Sequence, residues 1–287
     1  MTISADTQIT DLSVNDHACL TFGEPEELFD LTAAFVRDGL DGGLKVVWLS
    51  DATPDRATAE LARRGIVVDE ALASGQLVAA SYEGRLLAGQ VFSAGQAMTW
   101  LAAEMATAGN QGLRLAVDMS WALGPVSGVE QLPEFEEKVA AAVAGTTVSV
   151  LCQYDRERFD PVTLASVAAF HTRSVAAATY HADVMLRICR QYAPPGIRIA
   201  GELDYQAEEP LALALAEAVR LEGDLMVNMA ALAFIDARCT LMIADAARAM
   251  AASRTITLRC PPEIAAGFAR LGLAGAPGTR LVTADEQ

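Results

Sequence analysis

Hydrophobic positions in the first part of the chain follow two alternating periodicities. Short apolar runs are typical of buried strands, whereas apolar residues three and four positions apart are typical of helices. The predicted strands are 45–50, 77–82, 113–121 and 147–154, and the predicted helices are 55–65, 93–109, 133–145 and most of 163–181. Strands separated by helical crossovers predict a mostly parallel sheet with helices on both faces.

A second, shorter series of elements follows Pro194-Pro195-Gly196. Pro and Gly interrupt regular structure, so this tripeptide predicts a domain boundary. The predicted strands are 197–203, 224–232 and 255–260, and the predicted helices are 211–223, 239–253 and 262–273. We therefore predict an α/β fold in two domains, at residues 10–190 and 195–287.

The composition excludes several classes of partner. The formal net charge is −16, and only two of the 21 basic residues are lysines, Lys45 and Lys138. Phosphate backbones attract clustered Lys and Arg, so we expect no direct binding of nucleic acid. No apolar run is long enough to span a membrane. The N-terminus has no basic start followed by an apolar segment, so we expect no signal peptide.

The five cysteines are scattered and include no C-x-x-C pair. That pattern is typical of reduced thiols in the cytosol, so a cytoplasmic protein is expected.

Several pieces of the second series occur in a characteristic order. They are "GELD" (201–204), "MVNMAALAFID" (226–236), "ARCTLMIADAARAM" (237–250), "RLGL" (270–273) and "LVTADE" (281–286). This series resembles a STAS domain, the fold of bacterial anti-sigma-factor antagonists. The resemblance implies a role in transcription regulation, with an anti-sigma factor or a serine kinase-like protein as partner.

The resemblance departs from the family at the phosphorylated position. Members usually carry Asp-Ser-Ser-Gly or Asp-Ser-Thr-Gly where this chain has Asp236, Ala237, Arg238 and Cys239. Ala237 has no hydroxyl and cannot be phosphorylated. Asp236 is predicted to cap the following helix, a contribution of about 1 kcal/mol, and Arg238 lies in the first turn, where the helix dipole mildly disfavours a cation. We predict that Asp236, Ala237 and Arg238 retain a docking surface.

Nucleotide binding through a phosphate loop is not indicated in the first domain. Such a loop needs glycines followed by Lys and Ser or Thr, and neither Lys45 nor Lys138 lies in that context. Asp118 ends an apolar strand, as a metal-assisting carboxylate does in nucleotidases. A nucleotide-binding or ATPase-like protein with a degenerate phosphate loop is nevertheless the alternative hypothesis.

Further stretches resemble a known sensory family. They are "DHACLTFGEPEEL" (16–28), "FVRDGLDGGLKVVWLSD" (35–51), "GLRLAVDMSWAL" (112–123), "LCQYDRERFD" (151–160) and "AAFH" (168–171). This set resembles the MEDS family, the sensory domain of methanogen and methylotroph regulators. The resemblance implies a RecA/KaiC-like core without its phosphate loop, and a role in sensing a small organic ligand.

Ligands of open parallel sheets bind beyond the carboxyl ends of the strands. The predicted ligand-binding residues are His17, Asp118, Ser120, Trp121, Cys152, Tyr154, Asp155 and His171, with Ser50 and Asp51 nearby. Alternatively, Trp121 and Tyr154 are core residues. His17, Cys19, Cys152 and His171 are residue types that bind zinc, but their spacing matches no recognised zinc pattern and we expect no metal.

Together these patterns predict a non-enzymatic signalling protein, in which an unidentified small molecule controls a protein-binding domain. A scaffold that senses nothing is a further alternative. The sequence specifies no cofactor and leaves the oligomeric state open, including a homo-oligomer.

Overall fold

Strands and helices alternate through both halves of the chain, so the expected α/β class with a mostly parallel sheet and a second sheet domain is confirmed. The computed structural model describes residues 7–250 and 253–284. The chain divides into two units between Ala176 and Ala177. No helix among the described residues is both long and apolar enough to cross a bilayer.

The first unit is built on a parallel sheet of six strands. They are β1 (His17–Phe22), β2 (Lys45–Leu49), β3 (Leu77–Ala80), β6 (Leu113–Asp118), β7 (Val148–Asp155) and β8 (Arg173–Val175). The short strands β4 (Leu87–Ala88) and β5 (Val91–Phe92) form a separate antiparallel pair. The helices of the first unit are α1 (Pro25–Asp41), α2 (Pro54–Arg63), α3 (Val68–Ala73), α4 (Ala94–Ala108), α5 (Leu132–Val143) and α6 (Pro161–Ala168). The strand order is β3-β2-β6-β7-β1-β8, and all of these pairs are parallel.

Burial explains why the central strands were recognisable in the sequence. Every residue of β2 and β6 is buried, as is all of β7 except its last residue, Asp155. Strands that are covered on both faces read as continuous apolar runs rather than as alternating ones.

The predicted helix over most of 163–181 is wrong beyond its first turns. α6 ends at Ala168, and β8 then pairs with β1 at the edge of the sheet. Thr172 N donates to His17 O at 2.7 Å, which ties the chain to the start of β1. Sheet pairing has overridden the helix propensity of this alanine-rich segment, since propensity is a weak preference that tertiary contacts can outweigh.

The second unit also contains a six-stranded sheet within the described residues. Its strands are β9 (Thr179–Ala182), β10 (Leu186–Tyr192), β11 (Pro195–Leu203), β12 (Leu225–Ile235), β13 (Ile256–Cys260) and β14 (Thr279–Thr283), and its helices are α7 (Glu208–Leu221), α8 (Ala237–Ala249) and α9 (Pro262–Arg270). The order is β14-β13-β12-β11-β10-β9. Strands β11 to β14 pair in parallel, and β9, β10 and β11 pair in antiparallel fashion.

The domain boundary therefore lies earlier than the sequence suggested. The Pro194 segment forms the turn of the hairpin between β10 and β11, in which Tyr192 is paired with Pro195. Residues 177–190, which we assigned to the first domain, begin the second sheet instead. The predicted helix 239–253 ends at Ala249. Its residues 251–252 lie outside the described residues, as do residues 285–287 of the predicted domain and residues 1–6.

The burial of side chains in the core of the second unit can be tested directly. Phe268 on α9 is fully buried, whereas Phe234 on β12 is half exposed. Phe268→Ala should lower the free energy of unfolding by about 3–5 kcal/mol, because it removes buried surface and leaves a cavity. The matched control Phe234→Ala should change it by less than about 1 kcal/mol. Denaturant unfolding followed by circular dichroism measures both, and equal losses would contradict the assigned burial.

Candidate functional site

A buried group of polar side chains surrounds Glu136 in the first unit. His17 begins β1, Cys152 lies in β7, Glu136 lies on α5, and His171 follows the end of α6. We call these four residues the Glu136 cluster. Each offers a ligand-type atom, and the four atoms all lie within 4.8 Å of one another. The parallel register between β1 and β7 brings the two strands of the cluster together.

The distances within the Glu136 cluster are short. Glu136 Oε2 lies 3.0 Å from His17 Nε2 and 3.5 Å from His171 Nε2. Cys152 Sγ lies 3.5 Å from both Glu136 Oε2 and His17 Nε2. The other carboxylate oxygen, Oε1, accepts a hydrogen bond from the Tyr154 hydroxyl. Both oxygens of the Glu136 carboxylate therefore have polar neighbours.

Backbone carbonyls orient both histidine rings. His17 Nδ1 is 3.3 Å from Phe170 O, and His171 Nδ1 is 2.8 Å from Val167 O. A carbonyl oxygen can only accept, so each Nδ1 donates the proton and each Nε2 faces the centre of the cluster. His171 Nε2 is buried and has no hydrogen-bond partner in the described part of the chain.

Burial is the largest single influence on the pKa values of the cluster. It lowers the pKa of His171 to about 4, against the opposing attraction of Glu136. Burial and the nearby Glu136 raise the pKa of the Cys152 thiol well above its usual range. Burial also tends to raise the pKa of Glu136, but contacts with His17, His171 and Tyr154 outweigh it and the pKa lies below its ordinary value. The cluster therefore holds the ionised carboxylate of Glu136 beside the neutral imidazole of His171 and the thiol of Cys152.

Four of the eight predicted ligand-binding residues meet here: His17, Cys152, Tyr154 and His171. The sequence predicts that His171 lies on a helix, but it lies just beyond the end of α6. Cys19 also faces the region, since it is paired in register with Cys152, but among the described residues it lies outside the four-atom group.

The other predicted residues lie elsewhere in the first unit. Asp118 ends β6 and accepts a hydrogen bond from Ser120 N at 2.9 Å. Burial raises the pKa of Asp118 despite that bond. Trp121 is a core residue that packs against Phe92, with ring centroids 4.4 Å apart and the rings tilted by 33°. Asp155 ends β7 and accepts from Glu157 N at 2.9 Å.

The connection between β1 and α1 is a separate feature of chemical interest. It consists of Gly23 and Glu24 alone, whereas a phosphate loop spans about eight residues. Gly23 N donates to the buried carboxylate of Glu27 at 2.9 Å, and Arg156 lies 3.5 Å from the same oxygen. The start of α1 is thus occupied by a carboxylate of the chain itself, at the place where helix N-termini bind phosphate in other proteins.

The second unit presents a surface around the start of α8. Asp236 caps that helix as predicted, because its side chain accepts from Cys239 N at 2.7 Å. Arg238 is exposed and pairs with Glu208 on α7 at 3.2 Å. This carboxylate offsets the unfavourable position of a cation in the first helical turn.

An apolar groove opens beside the same helix, with a cavity volume of about 550 Å³. Phe234 and Leu241 are about half exposed there. The lining residues come from the end of β12, α8 and α9; they are Ala233, Phe234, Ile235, Ala237, Thr240, Leu241, Glu263, Ile264, Gly267, Arg270 and Leu271. Ala237 therefore lines a groove that is able to receive apolar side chains.

Sequence reasoning missed Glu136, the central residue of the cluster. A signal was present, because Glu136 falls within the apolar stripe that buries α5. The stripe consists of Leu132, Phe135, Val139 and Val143. A carboxylate in such a stripe is unusual, since Glu is almost never fully buried unless it is paired.

Comparisons with known proteins bear on the first unit. The sequence profile of MEDS, described as "MEthanogen/methylotroph, DcmR Sensory domain", matches residues 16–172, more than half of the chain. No curated protein sequence matches the chain significantly.

Solved structures that are similar to this chain include a KaiC-like protein and a flagellar accessory protein. A KaiC-like protein from the hyperthermophilic archaeon Pyrococcus horikoshii OT3 is 11% identical, with 65% of this chain and 79% of that chain covered and a TM-score of 0.46. The flagellar accessory protein FlaH from Methanocaldococcus jannaschii is 12% identical, with 64% and 83% covered and a TM-score of 0.46.

The hydrogen bond from Tyr154 to Glu136 can be tested by removing one oxygen. Tyr154→Phe should lower the free energy of unfolding by about 1.5–3 kcal/mol, because a buried carboxylate loses a donor. The control Tyr205→Phe removes a hydroxyl from an exposed tyrosine and should have little effect. Urea unfolding of both variants measures the difference, and a neutral Tyr154→Phe would mean that Glu136 does not depend on this bond.

Proposed function

Because this chain belongs to the MEDS family of sensory domains, we propose that it is a signalling protein whose first unit binds a small-molecule signal and whose second unit binds a protein partner. The match to the family carries the sensory half of the proposal. It begins one residue before His17 and ends one residue after His171, so it includes the whole Glu136 cluster.

Protein binding by the second unit is supported by its surface and by the STAS resemblance. The capped start of α8 and the groove with Phe234 and Leu241 combine a fixed backbone with exposed apolar side chains. Exposed apolar patches next to polar residues are typical of protein-binding sites. We propose an anti-sigma factor or a serine kinase-like protein as the partner, and hence a role in bacterial transcription regulation.

Control of this docking differs from control by phosphorylation. Ala237 lines the groove at the position that the resemblance assigns to the acceptor serine, and it offers no hydroxyl. A signal bound to the first unit controls the second only if it binds one state of the protein more tightly than the other. We also propose a cytoplasmic location, since all five cysteines are free and reduced thiols persist there.

A non-enzymatic role is favoured over the nucleotide-binding alternative. The two-residue connection before α1 and the Glu27 carboxylate at its start support this choice. A second negative group, such as a phosphate, would be repelled at a helix start that already holds a carboxylate.

Nucleotide binding is tested by thermal stability. A ligand of the native state raises stability by RT ln(1+[L]/Kd). ATP or GTP with Mg²⁺ should therefore leave the melting temperature unchanged at millimolar concentration. Glu27→Gln, which removes the charge at the start of α1, serves as a comparison. A clear, concentration-dependent increase for the unmodified protein would establish the alternative.

Partner binding is tested at the groove. Leu241→Asp should weaken the complex with a candidate anti-sigma factor by about 2 kcal/mol or more, roughly thirtyfold in Kd, because a charge replaces an apolar contact. Leu213→Asp is the matched control, since Leu213 is exposed on α7 outside the groove. Size-exclusion chromatography and calorimetry of the mixtures measure both.

Co-elution of the unmodified protein and of Leu213→Asp, with separate peaks for Leu241→Asp, is the expected result. If the unmodified protein and every candidate partner elute separately, the docking half of the proposal fails. Circular dichroism of each variant confirms that it is folded.

A further inference from the structure

We propose that His17, Glu136, Cys152 and His171 bind one divalent transition-metal ion, with Zn²⁺ as the best match to the donors. This inference does not depend on the partner proposed for the second unit. It also revises the expectation from sequence that no metal is bound. That expectation rested on spacing along the chain, and the spacing did not reveal that Glu136 joins two histidines and a cysteine.

Four of the six distances between ligand atoms are close to those of a tetrahedral site. With zinc–ligand bonds of about 2.0–2.3 Å, the ligand atoms of a tetrahedron lie roughly 3.3–3.8 Å apart. Glu136 Oε2 lies 3.5 Å from both Cys152 Sγ and His171 Nε2, and Cys152 Sγ lies 3.5 Å from His17 Nε2. The His17–Glu136 distance of 3.0 Å is slightly shorter. The other two pairs are within 4.8 Å, so binding requires the side chains to adjust around the ion.

The hydrogen bonds of the two histidine rings leave one nitrogen of each ring directed at the cluster. Both Nδ1 atoms donate to backbone carbonyls, and both Nε2 atoms lie within 3.5 Å of the Glu136 carboxylate. His171 Nε2 is buried and has no hydrogen-bond partner among the described residues. A metal ion accepts both lone pairs at once, together with the carboxylate and the sulfur.

The surroundings are those of a supported metal site. Ligating histidines usually donate their other ring N–H to a carbonyl or carboxylate, which fixes the ring and its tautomer. Here Phe170 O and Val167 O accept those bonds. Tyr154 donates to Oε1 of Glu136, which leaves Oε2 for the ion. These three contacts come from outside the four ligands.

The donor set selects the class of metal. Two imidazoles, a thiolate and one carboxylate suit Zn²⁺ and related transition metals, whereas Mg²⁺ and Ca²⁺ require more oxygen ligands. Four protein ligands complete a tetrahedral shell, as in structural zinc sites, and leave no position for a reactive water. Binding displaces the Cys152 proton, since the thiolate is the coordinating form.

The test uses full-length protein that carries no histidine tag. Metal content is measured after purification and dialysis, and the apoprotein is then titrated with Zn²⁺ and with Co²⁺. We expect one tightly bound ion per chain. We also expect a tetrahedral Co²⁺ spectrum with a sulfur-to-metal charge-transfer band, and displacement of Co²⁺ by Zn²⁺. These measurements use the unmodified chain and do not rely on a variant folding.

Variants then assign the ligands. Cys152→Ser should abolish the charge-transfer band and weaken metal binding at least tenfold. Two cysteine controls, Cys19→Ser on the neighbouring strand and Cys260→Ser in the second unit, should retain the band. His171→Ala should weaken binding at least tenfold, whereas His181→Ala, which removes a histidine of the second unit, should not.

Specific results would overturn the proposal. One is an apoprotein that takes up neither Zn²⁺ nor Co²⁺ at micromolar concentration. Another is a Co²⁺ spectrum without a sulfur band, and a third is loss of that band in Cys19→Ser but not in Cys152→Ser. None of these outcomes depends on partner binding, so this proposal and the docking proposal can fail separately.

Discussion

The carboxylate of Glu136 imposes the strongest constraint on the first unit. A buried charge costs several kcal/mol unless close partners compensate it, and Glu136 is fully buried on α5. Its partners come from β1, from β7 and from the segment after α6. The pairing of β8 with β1 holds that last segment beside the sheet. The carboxylate thus links the helix layer to two central strands and to the edge strand.

The sequence predicted the parts of the fold that depend on local pattern. Strands β2, β6 and β7 are continuous apolar runs, and α4 and α5 have helical spacing with suitable ends. The segment 169–181 was mispredicted because alanine favours a helix, while its strands are stabilised by neighbours distant in sequence. The early start of the second unit was missed for the same reason, since β10 is defined by its hairpin with β11.

The candidate site shows the same division between what local pattern predicts and what contacts distant in sequence decide. His17, Cys152, Tyr154 and His171 were identified from residue type and from short motifs. A convergence of His17, Cys152 and His171 was rejected because their spacing matches no zinc pattern, and spacing does not report that β1 and β7 are neighbours in the sheet. Glu136 was overlooked because helical spacing reports which face of α5 is buried but not what that face meets. Asp118 and Asp155 do end their strands as expected, and each serves a local hydrogen bond instead.

The absence of a hydroxyl at Ala237 bears on the energetics of the proposed sensor. A covalent phosphate supplies a fixed charge, whereas a bound signal can shift an equilibrium only by its difference in affinity for two states. Moving a population from about 1:99 to 99:1 takes roughly 5.5 kcal/mol. A ligand of a few atoms gains at most about 1.5 kcal/mol per atom, which leaves little margin. A protein-bound ion has a much larger binding free energy, about 10–16 kcal/mol for structural zinc. The ion proposed for the Glu136 cluster would have four protein ligands and no open position, so it would stabilise the first unit rather than bind the signal itself.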